Sequence, residues 1–106
     1  MISPLVISIL PKIREYLKHQ PVKKACLFGS FSRNEETETS DIDILVDFDE
    51  SKGIVSLFKM GGMLIDLSHI AGREVDLVEV NGIMDFAKAT IERDKILIYE
   101  RRERPS

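Results

Sequence analysis

The chain has one cysteine, Cys26, and two widely spaced histidines, His19 and His69. A lone thiol closes no intramolecular disulfide, and one cysteine with two distant imidazoles assembles no zinc site. A reducing, cytoplasmic setting fits this usage. Basic residues are also short: 15 Lys and Arg stand against 18 Asp and Glu, for a net charge of −3. Direct nucleic-acid binding is therefore not expected, since a surface built to coat phosphate backbones carries an excess of positive charge. No apolar run is long enough to span a bilayer. The stretch at residues 2–10 is broken by Pro4 and stopped by Pro11, lacks a basic leader and ends without small residues, so it reads as neither signal peptide nor membrane span. Repeats, linkers and low-complexity segments are absent as well. With 43% hydrophobic and 31% charged residues, the 106 residues suit one soluble domain, residues 1–106, with a single modest core.

Within that domain the apolar residues Leu5, Ile9, Ile13, Tyr16 and Leu17 recur at three- and four-residue spacing, which predicts an amphipathic helix over residues 5–17. Pro11 should either kink that helix or begin it. Residues 22–29 and 41–48 read as strands, the second with a wet entrance and a buried middle. The polar stretch 30–40 is a loop, with room for a short helix after Gly29. A second helix is expected over residues 54–70, with Ile54, Leu57, Phe58, Leu64, Ile65 and Leu67 facing inward and a bend at Gly61-Gly62. Residues 74–80 alternate as a third strand. Asn81 or Gly82 should cap a helix running to about Arg93, carrying Ile83, Phe86, Ala87 and Ile91, and residues 96–99 add a short strand. The charged tail, 101–106, should fray. The elements alternate as α-β-β-α-β-α-β, an α/β or α+β arrangement.

Three carboxylates make the most unusual pattern. Asp41 and Asp43 flank one residue on an extended strand, so their side chains share a face about 6 to 7 Å apart while Ile42 and Ile44 point into the core. Asp76 stands in an otherwise apolar strand, where a charge is costly without a partner or metal. If the two strands are neighbours, hard oxygen ligands converge, suited to Mg²⁺ or Mn²⁺. Gly29-Ser30, at a strand end, offers an anion site through a bare Cα, free amides and a hydroxyl. Arg33 follows one turn later, within reach of the same phosphates. Phosphate cradle and metal ligands together point to nucleoside triphosphate chemistry.

Gly29-Ser30, ten intervening residues and then Asp41-Ile42-Asp43 resembles the signature of the DNA polymerase β-like nucleotidyltransferases. The run from Ser40 to Val46, SDIDILV, is similar to that of minimal nucleotidyltransferases, and the third-carboxylate stretch from Gly72 to Val78, GREVDLV, places Asp76. The resemblance covers about residues 22–99 and implies an α+β (α/β) fold, a small mixed β-sheet flanked by helices. It also implies a function. Small members look like the antitoxin half of MNT–HEPN toxin–antitoxin pairs, transferring AMP from ATP to a tyrosine of the HEPN ribonuclease toxin. On that basis Asp41, Asp43 and Asp76 are the catalytic and metal-binding residues, for two Mg²⁺ ions or Mn²⁺, and Gly29, Ser30 and Arg33 bind the nucleotide. Gly61-Gly62 departs from the uninterrupted helix of the family.

Each feature has a plainer reading alone. A Gly-Ser before a loop is usually a turn, and a lone Asp-x-Asp at a strand entrance is usually solvated charge; their conjunction with Asp76 carries the inference. Arg14 and His19 reproduce the spacing of a HEPN ribonuclease motif, which belongs to an all-helical bundle and is coincidental in a strand-rich chain. Cys26 reads as a core thiol and His69 as a loop or helix-end imidazole. Two other functions stay open: an antitoxin that neutralises by binding alone, and transfer to a small hydroxyl compound, which normally calls for an additional domain that this chain lacks.

Overall fold

Val6, Ile9, Leu10, Ile13 and Leu17 form the buried stripe of the first helix, α1 (Pro4–Leu17), in a computed structural model of the chain. The structure describes residues 4–29, 32, 37, 40–51, 53–82 and 85–101. Pro4, not Pro11, begins α1. Pro11 lies inside the helix on its exposed side, where the lost hydrogen bond costs least because water replaces it. Leu5 and Tyr16, expected on the inner face, are half-buried beside it. The Tyr16 hydroxyl donates to Asp66 Oδ2 at 2.6 Å, and burial together with this bond pushes its pKa well above the usual range.

The strands follow as expected: β1 (Val22–Phe28) and β2 (Ile42–Phe48), then helix α2 (Leu57–Ala71), β3 (Val75–Glu79), a 3-10 turn (Val80–Gly82), α3 (Asp85–Asp94) and β4 (Ile96–Glu100). They form one four-stranded sheet in the order β3-β2-β1-β4. β2 and β3 run parallel, joined through α2, whereas β1 pairs antiparallel with both β2 and β4. This is a mixed sheet of an α+β fold. Ala25, Leu27, Ile42, Ile44, Val46, Val75 and Ile98 project from one side and merge with the α1 stripe and with Met63, Leu67 and Ala71 of α2 into one core. Pleating sends the alternate residues, Cys26, Asp43, Leu45 and Asp76, to the other side. Cys26 is a buried thiol, and burial raises its pKa. Among the described residues no helix is long and apolar enough to cross a membrane.

Helix α2 corrects two expectations. Gly61 and Gly62 sit in an unbroken helix, bounded by the Ser56 hydroxyl accepting from the Lys59 amide and by Gly72 in the left-handed conformation, φ 65°, donating to the Ser68 carbonyl. The inner face is Met63, Leu67 and Ala71, with Leu64 half-buried; Ile54, Leu57, Phe58 and Ile65 are exposed. The helix is apolar nearly all round, so periodicity did not choose its buried side, and packing against α1 and β3 did. Further on, α3 starts at Asp85 behind the 3-10 turn, which takes up Asn81 and Gly82. Ile83 and the side chains of Phe86 and Ala87 lie outside the described residues. The tail begins anchored. Arg101 Nη1 donates to Asp49 Oδ2 at 2.6 Å and Nη2 to the Gln20 carbonyl at 2.7 Å; residues 102–106 lie outside the described residues.

The glycines of α2 separate backbone strain from helix propensity. A Cβ at Gly62 meets no atom within 4 Å and its φ is not left-handed, so Gly62→Ala should stabilise by about 0.5 to 1 kcal/mol. Gly72 is equally uncrowded but left-handed, so Gly72→Ala should destabilise by about 1 kcal/mol. Urea denaturation of the two variants is expected to move the midpoint in opposite directions; a shift of the same sign in both would contradict the assignment.

Candidate active site

Parallel pairing of β2 with β3 sets Ile42 opposite Val75, Asp43 opposite Asp76 and Ile44 opposite Leu77. The Ile42 amide donates to the Glu74 carbonyl at 2.9 Å, fixing the register at the entrance of both strands. Paired residues share a side of the sheet, so Asp43 and Asp76 lie on adjacent strands, about 4.8 Å apart at the backbone, on the side away from α1 and α2. The flanking apolar residues enforce this. Ile42, Ile44 and Val75 are each 1% exposed or less, and their burial turns the alternate positions outward. Asp41 is half-buried two residues before Asp43, and Asp76 is exposed on an edge strand. Among the described residues no three His, Cys, Asp or Glu side chains stand close enough together to hold a metal ion, these three carboxylates included.

Gly29 closes the other side of Asp43. Phe28, the last residue of β1, is the register partner of Asp43, which brings the following residue against its carboxylate. A Cβ at Gly29 would collide with Asp43 Oδ2, and the backbone there is left-handed, φ 73°. Glycine is thus required twice, by conformation and by space. The Ser32 amide and hydroxyl both donate to the Gly29 carbonyl, at 3.1 and 2.7 Å. The structure brings Gly29, Asp43 and Asp76 together with Asp41 adjoining; Ser30 and Arg33 lie outside the described residues.

Three supporting residues had no role in the sequence reading. Arg73 Nη1 donates to the carbonyls of Thr37, at 3.0 Å, and Ser40, at 2.9 Å. Thr37 and Ser40 brace each other: the Thr37 amide donates to Ser40 Oγ at 2.8 Å and the Ser40 amide to the Thr37 carbonyl at 3.1 Å. The turn between α2 and β3 therefore holds the backbone leading into Asp41. A visible signal was an arginine wedged between a helix-stopping glycine and a strand. Beside Asp76 a groove of about 450 Å³ opens between α2 and β3, lined by Leu64, Ile65, Ser68, His69 and Val75. His69 is a helix-end imidazole as expected, here facing that groove.

This geometry matches a known family over almost the whole chain: the model for polymerase beta nucleotidyltransferases matches residues 11–104. The chain belongs to that family and is a nucleotidyltransferase. It is 44% identical over 93 residues to MJ0126 of Methanocaldococcus jannaschii, named a protein adenylyltransferase, covering 86% of this chain and 92% of that protein. The solved structure of a minimal nucleotidyltransferase superposes with a TM-score of 0.75 at 24% identity, covering 91% of this chain and 95% of that one. A chain of the Shewanella oneidensis complex between tri-AMPylated HEPN toxin and MNT antitoxin superposes with a TM-score of 0.66 at 18% identity, covering 90% and 72%. At those identities the two likenesses are of fold.

The close packing of Gly29 on Asp43 gives a direct test of the candidate site. Gly29→Ala should cost about 1 to 2 kcal/mol in stability through its left-handed backbone, and a displaced Asp43 should lower nucleotidyl transfer by about a hundredfold. Steady-state assays beside thermal melts check this; a variant that folds and retains full transfer would contradict the packing of Gly29 on Asp43.

Proposed function

We propose that this nucleotidyltransferase moves AMP from ATP to a tyrosine hydroxyl of a partner HEPN-type ribonuclease toxin and thereby acts as its antitoxin. The observation that carries the reading is the placement of Asp43 and Asp76 side by side on adjacent strands, on the side of the sheet away from α1 and α2, with the bare Cα of Gly29 against Asp43. The adenylyltransferase name of the Methanocaldococcus relative and the AMPylated toxin of the Shewanella complex support the choice of group and acceptor.

Carboxylate oxygens suit a hard divalent cation, but the three carboxylates do not close on one point by themselves, so Asp43 and Asp76, with Asp41 beside them, would hold Mg²⁺ or Mn²⁺, in one or two ions, only together with triphosphate oxygens. The metal, when bound, supplies charge neutralisation at the phosphates and a lowered pKa for the attacking hydroxyl. Gly29 lets the triphosphate approach the backbone, with Ser30 and Arg33 donating to phosphate oxygens. Asp76, on the exposed edge strand, is the carboxylate nearest an incoming acceptor and takes or orients the hydroxyl proton. The acceptor oxygen bonds the α-phosphorus, the bond to pyrophosphate breaks, and pyrophosphate leaves with its charge screened. Reacting atoms must be held about 3 to 3.5 Å apart, so the partner docks rigidly across the active face. AMP added near the toxin's own active site brings bulk and negative charge that repel RNA.

Co-expression with a HEPN-type ribonuclease toxin, followed by mass spectrometry, tests this. Whole AMP units mapped to tyrosine are expected with the native chain. Asp43→Asn should reduce the modification by at least about a hundredfold while leaving the melting temperature unchanged or raised, since the amide keeps the shape and relieves carboxylate repulsion. An unmodified toxin that is still neutralised in a stable complex would replace transfer with neutralisation by binding, and labelling of a small hydroxyl compound alone would move the acceptor out of the protein class.

A further inference from the structure

Leu57, Phe58 and Ile65, together with Ile54 just ahead of the helix, leave the outer face of α2 and its approach apolar. Phe58 is 96% exposed, Ile54 89%, Leu57 85% and Ile65 61%. Gly61 and Gly62 lie between them, making a shallow trough with Leu57, Phe58 and Ile65 for walls. An apolar patch of this kind on a charged domain marks a contact surface. The two glycines sharpen the point. Interior helical glycines weaken a helix, and here neither a left-handed φ nor a crowding neighbour within 4 Å requires one. Close approach of another backbone does account for them, because a side chain at either position would fill the trough.

The pattern is symmetric about its own centre. Phe58 and Ile65 stand equally far on either side of the midpoint between Gly61 and Gly62. When a second α2 is laid antiparallel with a two-fold axis at that midpoint, Phe58 of each copy meets Ile65 of the other and Gly61 meets Gly62, a self-complementary contact. The charges agree with that arrangement. Lys59 and Asp66 fall on one flank of the apolar face, and the two-fold keeps that flank on the same side while reversing its direction. Lys59 of one copy then lies only about 3 Å along the axis from Asp66 of the other, at a rise of about 1.5 Å per residue, twice per pair. Among the described residues Lys59 has no ion-pair partner within its own chain, whereas Asp66 accepts from the Tyr16 hydroxyl through Oδ2, so the pairing with Lys59 of the other copy falls to Oδ1.

We propose that the outer face of α2 is a self-association surface, on which two copies of this chain pair antiparallel through Gly61-Gly62, flanked by Phe58–Ile65 contacts and reciprocal Lys59–Asp66 ion pairs. A single helix crossing buries less than the roughly 800 Å² per partner of a standard interface, so the dimer is reversible. Ile65 also lines the groove between α2 and β3, so the second copy stands next to that groove.

Sedimentation velocity on the full chain tests the proposal. Raising the concentration about a hundredfold should move the apparent mass toward twice the monomer by mass action, with added salt weakening the shift. Phe58→Glu, at an exposed position, should keep the chain monomeric with an unchanged melting temperature. Lys59→Glu should weaken the dimer, and Lys59→Glu combined with Asp66→Lys should restore it. A chain that stays monomeric throughout overturns the proposal, as does a dimer insensitive to Phe58→Glu or a double variant that fails to recover. Loss of binding to the HEPN-type protein in Phe58→Glu, from a chain monomeric on its own, would assign the face to that partner instead.

Discussion

The parallel pairing of β2 with β3 is the constraint on which the candidate active face depends. Because side chains alternate across a strand, this register alone decides that Asp43 and Asp76 come out on the same side of the sheet while Ile42, Ile44 and Val75 are buried on the other. Slipping one strand by one residue would bury an aspartate and expose an isoleucine or valine. The hydrophobic loss and the uncompensated charge would both oppose it, which pins the register strongly. The core of a small domain thus serves the chemistry indirectly. Its apolar residues matter to the carboxylates because they occupy the alternate positions of the same strands.

Around that register three local devices converge. Gly29 ends β1 in a conformation and a space that other residues do not tolerate, so the turn leaving the strand can lie against the Asp43 carboxylate. Arg73, placed by the Gly72 cap of α2, reaches back to two carbonyls in the lead-in to β2. Helix α2 crosses over between the two parallel strands and ends where β3 must begin, with the Val75 amide donating to the Ser68 hydroxyl at 3.1 Å. One connection therefore delivers the strand, the clamp and the groove beside Asp76. A change at Gly72 would be felt at Asp41 through Arg73.

The strands and the carboxylates were legible because period two is a strong signal in short segments: DIDILV and EVDLV announce both a buried side and an acidic one. Gly29 was singled out in the sequence for a bare Cα beside phosphate, whereas the duty the structure shows, making room for Asp43, depends on a cross-strand partner that no local pattern reveals. The inner face of α2 was read correctly at Leu67 and Leu64 but wrongly elsewhere, for a related reason. Ile54, Leu57, Phe58 and Ile65 have helical spacing and large apolar side chains, yet Met63, Leu67 and Ala71 are the ones that meet α1 and the sheet. When apolar residues surround a helix, only tertiary contact selects the buried stripe. Arg101 was assigned to a loose tail because its partners, Asp49 and the Gln20 carbonyl, are distant in sequence. Arg73 stood in the GREVDLV stretch without a role, since a side chain that holds backbone carbonyls leaves no motif in its targets.

The claim that the active face is a metal-dependent nucleotide site is tested most directly by crystals grown with a non-hydrolysable ATP analogue and Mn²⁺, read by anomalous scattering. Manganese peaks over Asp43 and Asp76 on the side of the sheet away from α1 and α2, with the triphosphate running back toward Gly29, are the expected result. Manganese or nucleotide bound on the opposite side, or a well-ordered nucleotide with no metal at these carboxylates, would contradict it.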